Sequence, residues 1–272
     1  MKKKWFIISI IINIILLGIM CFGAYYKRNS IAAYARKFYD ALFLEKNIEE
    51  VGLNFNEFSQ VRYQSEIQFI DNQNDDRIKI VILGNSLTLI NDWNGGAGLA
   101  ASNRENDYVH ILLEKISFEN DLKIEYIVLN IAEFEREFEY FDYDRLEIIR
   151  KFEPEIIIFQ IGENVIAKKL NEKREIFIEN YMELINYCNG KYTIICLPFW
   201  PDKDKINAIT EIALKSESFL VDLSHLGSGI EPLNFARSER KFDHAGVAAH
   251  PGDYGMNNIA KILYITIKKI IN

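Results

Sequence analysis

The sequence has 272 residues, of which 49% are hydrophobic and 13% aromatic, and its formal net charge is −7 at pH 7. So many apolar residues are typical of a packed core and exclude a disordered chain. The acidic balance, and the lack of a basic cluster beyond the N-terminal segment, argue against nucleic acid as a partner.

The N-terminal segment, from Met1 to Arg28, has the composition of a membrane anchor. Lysines precede Trp5, and no charged residue occurs from Trp5 to Tyr26, before Lys27 and Arg28. An apolar run of this length can cross a bilayer. A cleaved signal peptide would carry a small residue where Phe22 stands. We therefore predict an uncleaved, single-pass helix in the cell membrane. Its slightly more basic N-terminal flank favours the N-terminus inside and the remaining chain outside the cytoplasm.

Two cysteines follow this segment, Cys188 and Cys196. They are too few for a disulfide framework or a paired-cysteine metal site. Two buried thiols or one bridge are the alternatives. Nothing in the sequence calls for a metal or an organic cofactor, and the oligomeric state cannot be predicted.

Residues 29–75 are predicted to be a partly helical stalk that ends in a polar turn, and residues 76–272 a catalytic domain. In that domain, short apolar runs alternate with amphipathic stretches, which indicates an α/β fold with a parallel sheet between helices. Strands buried on both faces read as such continuous apolar runs. The predicted strands are Ile78–Leu83, Ile124–Leu129, Ile156–Ile161, Thr193–Leu197 and Phe219–Val221. The predicted helices lie near Asp107–Ser117, Tyr143–Phe152, Glu172–Tyr187, Lys205–Lys215 and Tyr254–Ile271.

A serine follows the first predicted strand on a tight turn, in the segment Gly84-Asn85-Ser86-Leu87-Thr88. Reactive groups of parallel sheets lie on loops at the carboxyl ends of strands. Ser86 can therefore present its hydroxyl as a nucleophile and its N–H to a substrate carbonyl. A serine in such a turn is also common as a simple turn or capping residue.

Two further segments point to the same edge of the sheet. The third strand runs into Gly162-Glu163-Asn164, where the Asn164 amide is either an oxyanion donor or part of a turn. His250 lies on the loop before the last helix, whose N-cap is predicted to be Asp253. Histidine is the usual base for a serine hydroxyl near neutral pH. His244 is the rival candidate for that role.

Together, Ser86 in Gly-Asn-Ser-Leu, Gly162 and Asn164 in Gly-Glu-Asn, and His250 in His-Pro-Gly-Asp resemble three sequence blocks of the SGNH hydrolases, or GDSL esterases. The resemblance covers about residues 79–272. It implies a flavodoxin-like three-layer sandwich with a five-stranded parallel sheet. It also implies a serine nucleophile, a histidine base, and an oxyanion hole formed by the serine N–H, a glycine N–H and the asparagine amide.

The sequence departs from the family pattern at three positions. Asn85 stands where the family has aspartate. After the second strand, Asn130-Ile131-Ala132 replaces the family glycine, so the Ala132 N–H is predicted to act in its place, with glycines 95, 96 and 98 as alternatives. Val247 occupies the position of the family acid. Either a backbone carbonyl near Val247 orients His250, as part of a dyad, or Asp243 does so.

The sequence therefore predicts a serine hydrolase that removes acyl groups, most plausibly acetyl groups, from a surface or cell-wall glycan. Trp93 lies close enough after the nucleophile turn to line the pocket as a sugar platform or to pack in the core. The acidic and aromatic residues from Glu133 to Asp144 form either a glycan-binding lip or a solvated loop with buried rings. The alternative functions are O-acetyl transfer by the same acyl-enzyme and a catalytically silent, membrane-anchored glycan-binding or assembly subunit.

Overall fold

The structure is a computed structural model that describes residues 67–72, 76–228 and 237–271. The predicted anchor, residues 1–28, and most of the predicted stalk lie outside these residues. Within the described ranges, no helix combines the length and the apolar character needed to cross a membrane.

The centre of the fold is a mostly parallel sheet, to which the described residues contribute six strands. The strands are β1 (Gln68–Ile70), β2 (Arg77–Gly84), β3 (Lys123–Asn130), β4 (Ile156–Phe159), β5 (Tyr192–Cys196) and β6 (Phe219–Val221). Their order across the sheet is β1-β3-β2-β4-β5-β6. The predicted α/β class is confirmed, and the five predicted parallel strands correspond to β2–β6. Their order is that of flavodoxin-like sheets.

The strand β1 departs from the predicted five-stranded sheet. It pairs with β3 in the antiparallel direction, with Gln68 opposite Tyr126 and Ile70 opposite Ile124. This strand falls in the range that the sequence assigned to the stalk. It has only three residues, and just one of them is strongly exposed, so it offers neither a long apolar run nor a clear alternation. The sheet therefore begins before residue 76.

Helices cover both faces of the sheet and make the three layers. The described helices are α1 (Tyr108–Asn120), α2 (Ala132–Glu137), α3 (Glu147–Phe152), α4 (Ala167–Glu172), α5 (Arg174–Cys188), α6 (Lys203–Lys215), α7 (Ser224–Gly227), α8 (Ala245–Ala248) and α9 (Asp253–Ile271). Ile80 and Ile82 of β2 face a core shared with α1 and α9. Val81 and Leu83 face the other core, which includes residues of α3, α5 and α6. Because successive side chains of β2 point to opposite faces of the sheet, the strand contributes to both cores.

The strand order brings the predicted site residues to one crevice. Strands β2 and β4 are neighbours in the sheet, but the strand that follows each of them in sequence lies on the opposite side: β3 is next to β2, and β5 is next to β4. In such sheets the crevice opens at the carboxyl ends of the strands at this switch point. Ser86 follows β2 and Asn164 follows β4. The fold therefore places the two loops side by side.

Candidate active site

Ser86 lies on a tight turn that hydrogen bonds between neighbouring residues stabilise. The N–H groups of Thr88 and Leu89 both donate to the Asn85 carbonyl oxygen at 3.0 Å. The Asn85 side-chain oxygen accepts from the Leu87 N–H at 3.0 Å. A Cβ atom on Gly84 would lie 1.7 Å from Thr88 Oγ1, so only glycine permits this packing. The turn leaves Ser86 half-buried at the carboxyl edge of β2.

His250 contacts the serine directly. Its Nε2 atom lies 2.9 Å from Ser86 Oγ, and its Nδ1 atom lies 2.6 Å from the Gly246 carbonyl oxygen. Because a carbonyl oxygen only accepts, Nδ1 carries the hydrogen and Nε2 can accept the serine proton. His244 instead caps α8, where its Nδ1 accepts from the Gly246 N–H at 3.1 Å. The geometry therefore favours His250 over His244 as the base.

The group that orients His250 is a backbone carbonyl. Of the two alternatives left by the sequence, this contact fits the dyad, since Gly246 directly precedes Val247. Val247, which belongs to α8, is fully buried in the core, and Asp243 is exposed. No carboxylate contacts the imidazole among the described residues.

The surroundings of His250 keep its imidazole neutral. The Trp200 ring packs edge-on against it, with the ring centroids 5.1 Å apart. Burial lowers the pKa of His250 to about 4, although the hydrogen bond to Gly246 acts in the opposite direction. At neutral pH the imidazole is thus in the form that can accept a proton. Trp200 is not among the residues predicted for the site, although it stands shortly after the end of β5.

Asn164 lies on a turn that glycine makes possible. Gly162 has a φ of 140°, a conformation that residues with a Cβ rarely adopt. The Asn164 amide donates to Glu135 Oε2 at 2.6 Å. An amide nitrogen carries two hydrogens, so one remains for a substrate oxygen. The Gly162 N–H also donates to Glu135, at 2.5 Å, and is therefore already bonded.

In the loop after β3, the predicted oxyanion donor, the Ala132 N–H, is already bonded within the loop. The Ala132 N–H donates to the Asn130 side-chain oxygen at 3.0 Å. The Asn130 amide in turn donates to the Leu89 carbonyl oxygen at 2.8 Å and ties this loop to the nucleophile turn. Gly98, another candidate, donates its N–H to Asp107 at 3.3 Å. In this structure these N–H groups have acceptors other than a substrate.

On the Ser86 and Asn164 turns, two of the predicted donors remain for an oxyanion. One is the second hydrogen of the Asn164 amide, and the other is the Ser86 N–H, which has no acceptor in residues 67–72, 76–228 or 237–271. Preorganised donors of this kind stabilise the charge that develops on a substrate carbonyl oxygen. The predicted residues Ser86, His250 and Asn164 are thus brought to one edge of the sheet.

Two glutamates lie below this edge, the buried Glu135 and the half-buried Glu163, and neither has a role in the sequence prediction. Glu135 is fully buried, and the Asn85 amide donates to both Glu135 and Glu163, at 3.2 and 2.7 Å. Burial raises the pKa of Glu135, and burial with the nearby Glu135 charge raises the pKa of Glu163 to about 7. Glu135 was overlooked because it stands in an acidic segment that resembles a solvated loop.

The candidate sugar-binding features have other roles in the structure. Trp93 is only 3% exposed, and its indole N–H donates to the Ala101 carbonyl oxygen at 3.0 Å. In the acidic and aromatic segment, Phe134 and Phe138 are fully buried, whereas Tyr140 is 80% exposed. The segment is largely helical rather than a loop, beginning with α2, and its rings are mostly buried rather than an open row of aromatic platforms.

Two features lie away from Ser86. Cys188 and Cys196 are buried free thiols, so they form no bridge. A surface cavity of about 720 Å³ is lined by Pro154, Gly190 and charged residues such as Arg150. It lies at the amino ends of β4 and β5, the edge of the sheet opposite to the candidate site.

Two solved structures share the fold. One is the crystal structure of an acetyl xylan esterase, AlAXEase, with 19% identity, 70% of this chain and 100% of that chain covered, and a TM-score of 0.50. The other is the protein YXIM of Bacillus subtilis, with 16% identity, 71% and 56% covered, and a TM-score of 0.50. Comparison with protein-family models gives no match. Comparison with curated protein sequences gives none either.

The described domain therefore shares its fold with these two proteins, one of which is an esterase, in agreement with the fold that the sequence resemblance implies. Because the two solved structures are so distant in sequence, the likeness to them concerns the fold alone. The chemistry of this chain has to be inferred from its own site.

Proposed function

We propose that the protein is a serine esterase that removes acetyl groups from a surface or cell-wall glycan through an acyl-enzyme on Ser86. The observation that carries the proposal is the 2.9 Å contact between Ser86 Oγ and His250 Nε2, with Nδ1 fixed by the Gly246 carbonyl. A nucleophile, a base and a group that orients the base are the minimum for nucleophilic acyl transfer.

The reaction follows from these contacts. His250 Nε2 takes the Ser86 proton as Oγ attacks the ester carbonyl. The same nitrogen then gives the proton to the departing sugar oxygen, which is released as a hydroxyl. The Ser86 N–H and the Asn164 amide hold the oxyanion. Water, activated by the neutral His250, hydrolyses the acyl-enzyme and restores the serine. No carboxylate in the described part of the chain stabilises the imidazolium, so the dyad relies on the Gly246 carbonyl for orientation.

The acetylated glycan is the substrate class that two separate observations support. One of the solved structures with this fold is an acetyl xylan esterase. The segment from Met1 to Arg28 has the sequence of an anchor that would hold the domain outside the cytoplasmic membrane, next to envelope glycans. Our proposal therefore includes an anchor at residues 1–28, a linker after it and an extracytoplasmic catalytic domain.

The test compares three forms of the full chain: the wild type, Ser86→Ala and Ser218→Ala. Ser218 directly precedes β6, at the opposite edge of the sheet, and is the matched control. We expect the wild type and Ser218→Ala to release acetate from p-nitrophenyl acetate and from an acetylated glycan. Ser86→Ala should lose at least about 10³-fold in kcat, because the nucleophile is absent.

Equal rates for Ser86→Ala and the wild type would exclude the proposed reaction and favour the silent binding subunit. Acetate that appears on an added sugar acceptor, instead of in solution, would assign the same acyl-enzyme to O-acetyl transfer. The location has its own test: the chain should fractionate with membranes, and external protease should digest the catalytic domain in intact spheroplasts.

A further inference from the structure

Glu135 is the most heavily bonded carboxylate of the candidate site. It stands on the short helix α2 and is fully buried. Its Oε1 accepts from the N–H groups of Gly162 and Asn164, at 2.5 and 3.2 Å, and from the Asn85 amide at 3.2 Å. Its Oε2 accepts from the Asn164 amide at 2.6 Å. One side chain therefore contacts the nucleophile turn and the Asn164 turn together.

We propose that Glu135 is the positioning residue of the oxyanion hole, because its carboxylate determines which end of the Asn164 amide is presented to the substrate. This inference rests on the proposed esterase reaction and adds to it a residue that acts through Asn164 without touching the substrate.

The two ends of the Asn164 amide differ in what they can bond. An asparagine side chain can turn over end for end, which exchanges its NH2 group for its carbonyl oxygen. Glu135 is surrounded by donors and, as a carboxylate, only accepts. Turning the Asn164 amide over would bring its oxygen against a carboxylate oxygen, and the two would repel each other. The carboxylate thus keeps the NH2 group in place, with its second hydrogen free for an oxyanion.

The same carboxylate holds the backbone of the turn. Gly162, with its φ of 140°, and Asn164 both direct their N–H groups at Glu135 Oε1. Buried N–H groups require partners, and these two find theirs in one atom. Glu135 therefore fixes the position of the Asn164 side chain both through the backbone and through the amide.

Asn85 completes this arrangement. Its contacts account for asparagine at this position, where the family that the sequence resembles has aspartate. Its amide donates to Glu135 and to Glu163, so it lies between two carboxylates. Aspartate at residue 85 would remove this donor and add a third carboxylate in the same buried space. Like charges in close contact below the surface are strongly unfavourable. Asn85 and Glu135 are thus a matched pair.

The main test is Glu135→Gln in the full chain, with p-nitrophenyl acetate as substrate. Glutamine has one oxygen, for which three donors compete at the Oε1 position, so its NH2 group is left facing the Asn164 amide. We expect kcat to fall about 10²-fold, as for the loss of one oxyanion donor, with KM changed less than threefold.

Glu155→Gln is the matched control, because Glu155 accepts from the Lys79 N–H at the opposite edge of the sheet and bonds to neither turn. Its kcat should change less than threefold. A double-mutant cycle then separates positioning from a general structural effect. If Glu135 acts through Asn164, the variant Glu135→Gln/Asn164→Ala should be no slower than Asn164→Ala alone, whereas independent effects would multiply.

Three results would overturn the inference: an unchanged kcat in Glu135→Gln, an equal loss in Glu155→Gln, or multiplying losses in the double variant. An active Ser86→Ala would instead refute the reaction itself. If Glu135→Gln does not fold, the wild type supplies the readout by NMR. The Asn164 side-chain protons, identified by their loss in Asn164→Ala, should include one strongly downfield, slowly exchanging proton. Two equivalent, rapidly exchanging protons would refute the bond to Glu135.

Discussion

At the scale of single residues, the site is defined by how His250 is held. A carbonyl oxygen, not a carboxylate, receives the Nδ1 hydrogen, and the Trp200 ring covers the imidazole from one side. A carbonyl orients the ring but does not stabilise the imidazolium as an anion would. The base is therefore correctly aligned and weakly basic. Its pKa, lowered by burial to about 4, should control the pH dependence of the reaction.

We expect His250 to cause no decline in kcat/KM of the wild type from about pH 5 to 8 and to lower it only as the pH approaches 4. Protonation of Glu135, whose pKa burial raises, is the other source of a decline on the acid side, and Glu135→Gln lacks it. The imidazole must be neutral to accept the Ser86 proton, and with a pKa of about 4 it is neutral throughout that range. With an ordinary histidine pKa of ~6.5, half of the imidazole would be protonated at a pH of ~6.5, and kcat/KM would already be halved there. The measurement is kcat/KM for p-nitrophenyl acetate at half-unit steps, since this ratio reports on the free enzyme.

Trp200→Ala tests the cause of this low pKa. Removal of the ring lets water reach the imidazole, which raises its pKa, so the decline in kcat/KM should begin at a higher pH than in the wild type. A profile that is halved near pH 6.5 in both the wild type and Glu135→Gln would show that burial does not control His250. Identical profiles for the wild type and Trp200→Ala would show that Trp200 is not the covering group.

At the scale of the elements, the site depends on two turns that follow neighbouring strands. Leu83 of β2 pairs with Phe159 of β4, so the turns that carry Ser86 and Asn164 leave the sheet next to each other. Each turn relies on a glycine for a different reason. Gly84 is required by close packing, and Gly162 is required by its φ of 140°.

Gly162→Ala should therefore affect stability and catalysis together. The new Cβ would lie 2.7 Å from Ile209 Cδ1, and the backbone would keep a conformation that costs ~1–3 kcal/mol for other residues. We expect the free energy of unfolding to fall by about 2 kcal/mol and kcat to fall at least about tenfold, because the Asn164 turn shifts. Urea denaturation and steady-state kinetics measure the two effects.

Gly95→Ala is the control for this substitution. Gly95 also has a positive φ, of 81°, but a Cβ there meets no atom within 4 Å. It should lower stability by ~1 kcal/mol, the backbone cost alone, and leave kcat within about threefold. If both variants lost the same amount of activity, the effect could not be assigned to the Asn164 turn.

At the scale of the whole molecule, the sequence was most informative where burial was complete. The strands β2–β6 are recognisable because runs such as Ile78–Leu83 are apolar at almost every position, as burial on both faces requires. Ser86, Asn164 and His250 are predicted as site residues because each stands after a strand or before a helix, where loops of parallel sheets carry reactive groups. Glu135 was missed because its partners, Gly162 and Asn164, are distant in sequence and only the fold brings them together.

The edge strand β1 was missed for another reason. Only Ile70 packs against the core, and Phe69 is 63% exposed, so the segment has no apolar run. What holds it is tertiary: its ladder with β3, and Gln68, whose side-chain oxygen accepts from the Tyr126 hydroxyl at 3.1 Å. These contacts make β1 part of the α/β domain rather than of the predicted linker.

Two truncated forms of the chain test this assignment. A form that begins at residue 67 keeps β1, and a form that begins at residue 76 lacks it. Without β1, one edge of β3 loses its backbone partners and Tyr126 loses Gln68, so we expect Tm to be lower by about 5 °C, as for a loss of ~1–2 kcal/mol in a domain of this size. The activity per folded molecule should be the same, because β3 separates β1 from the strand that carries Ser86. Equal Tm values would show that β1 adds nothing to the stability of the domain, and a loss of activity at equal Tm would mean that the edge strand influences the site directly.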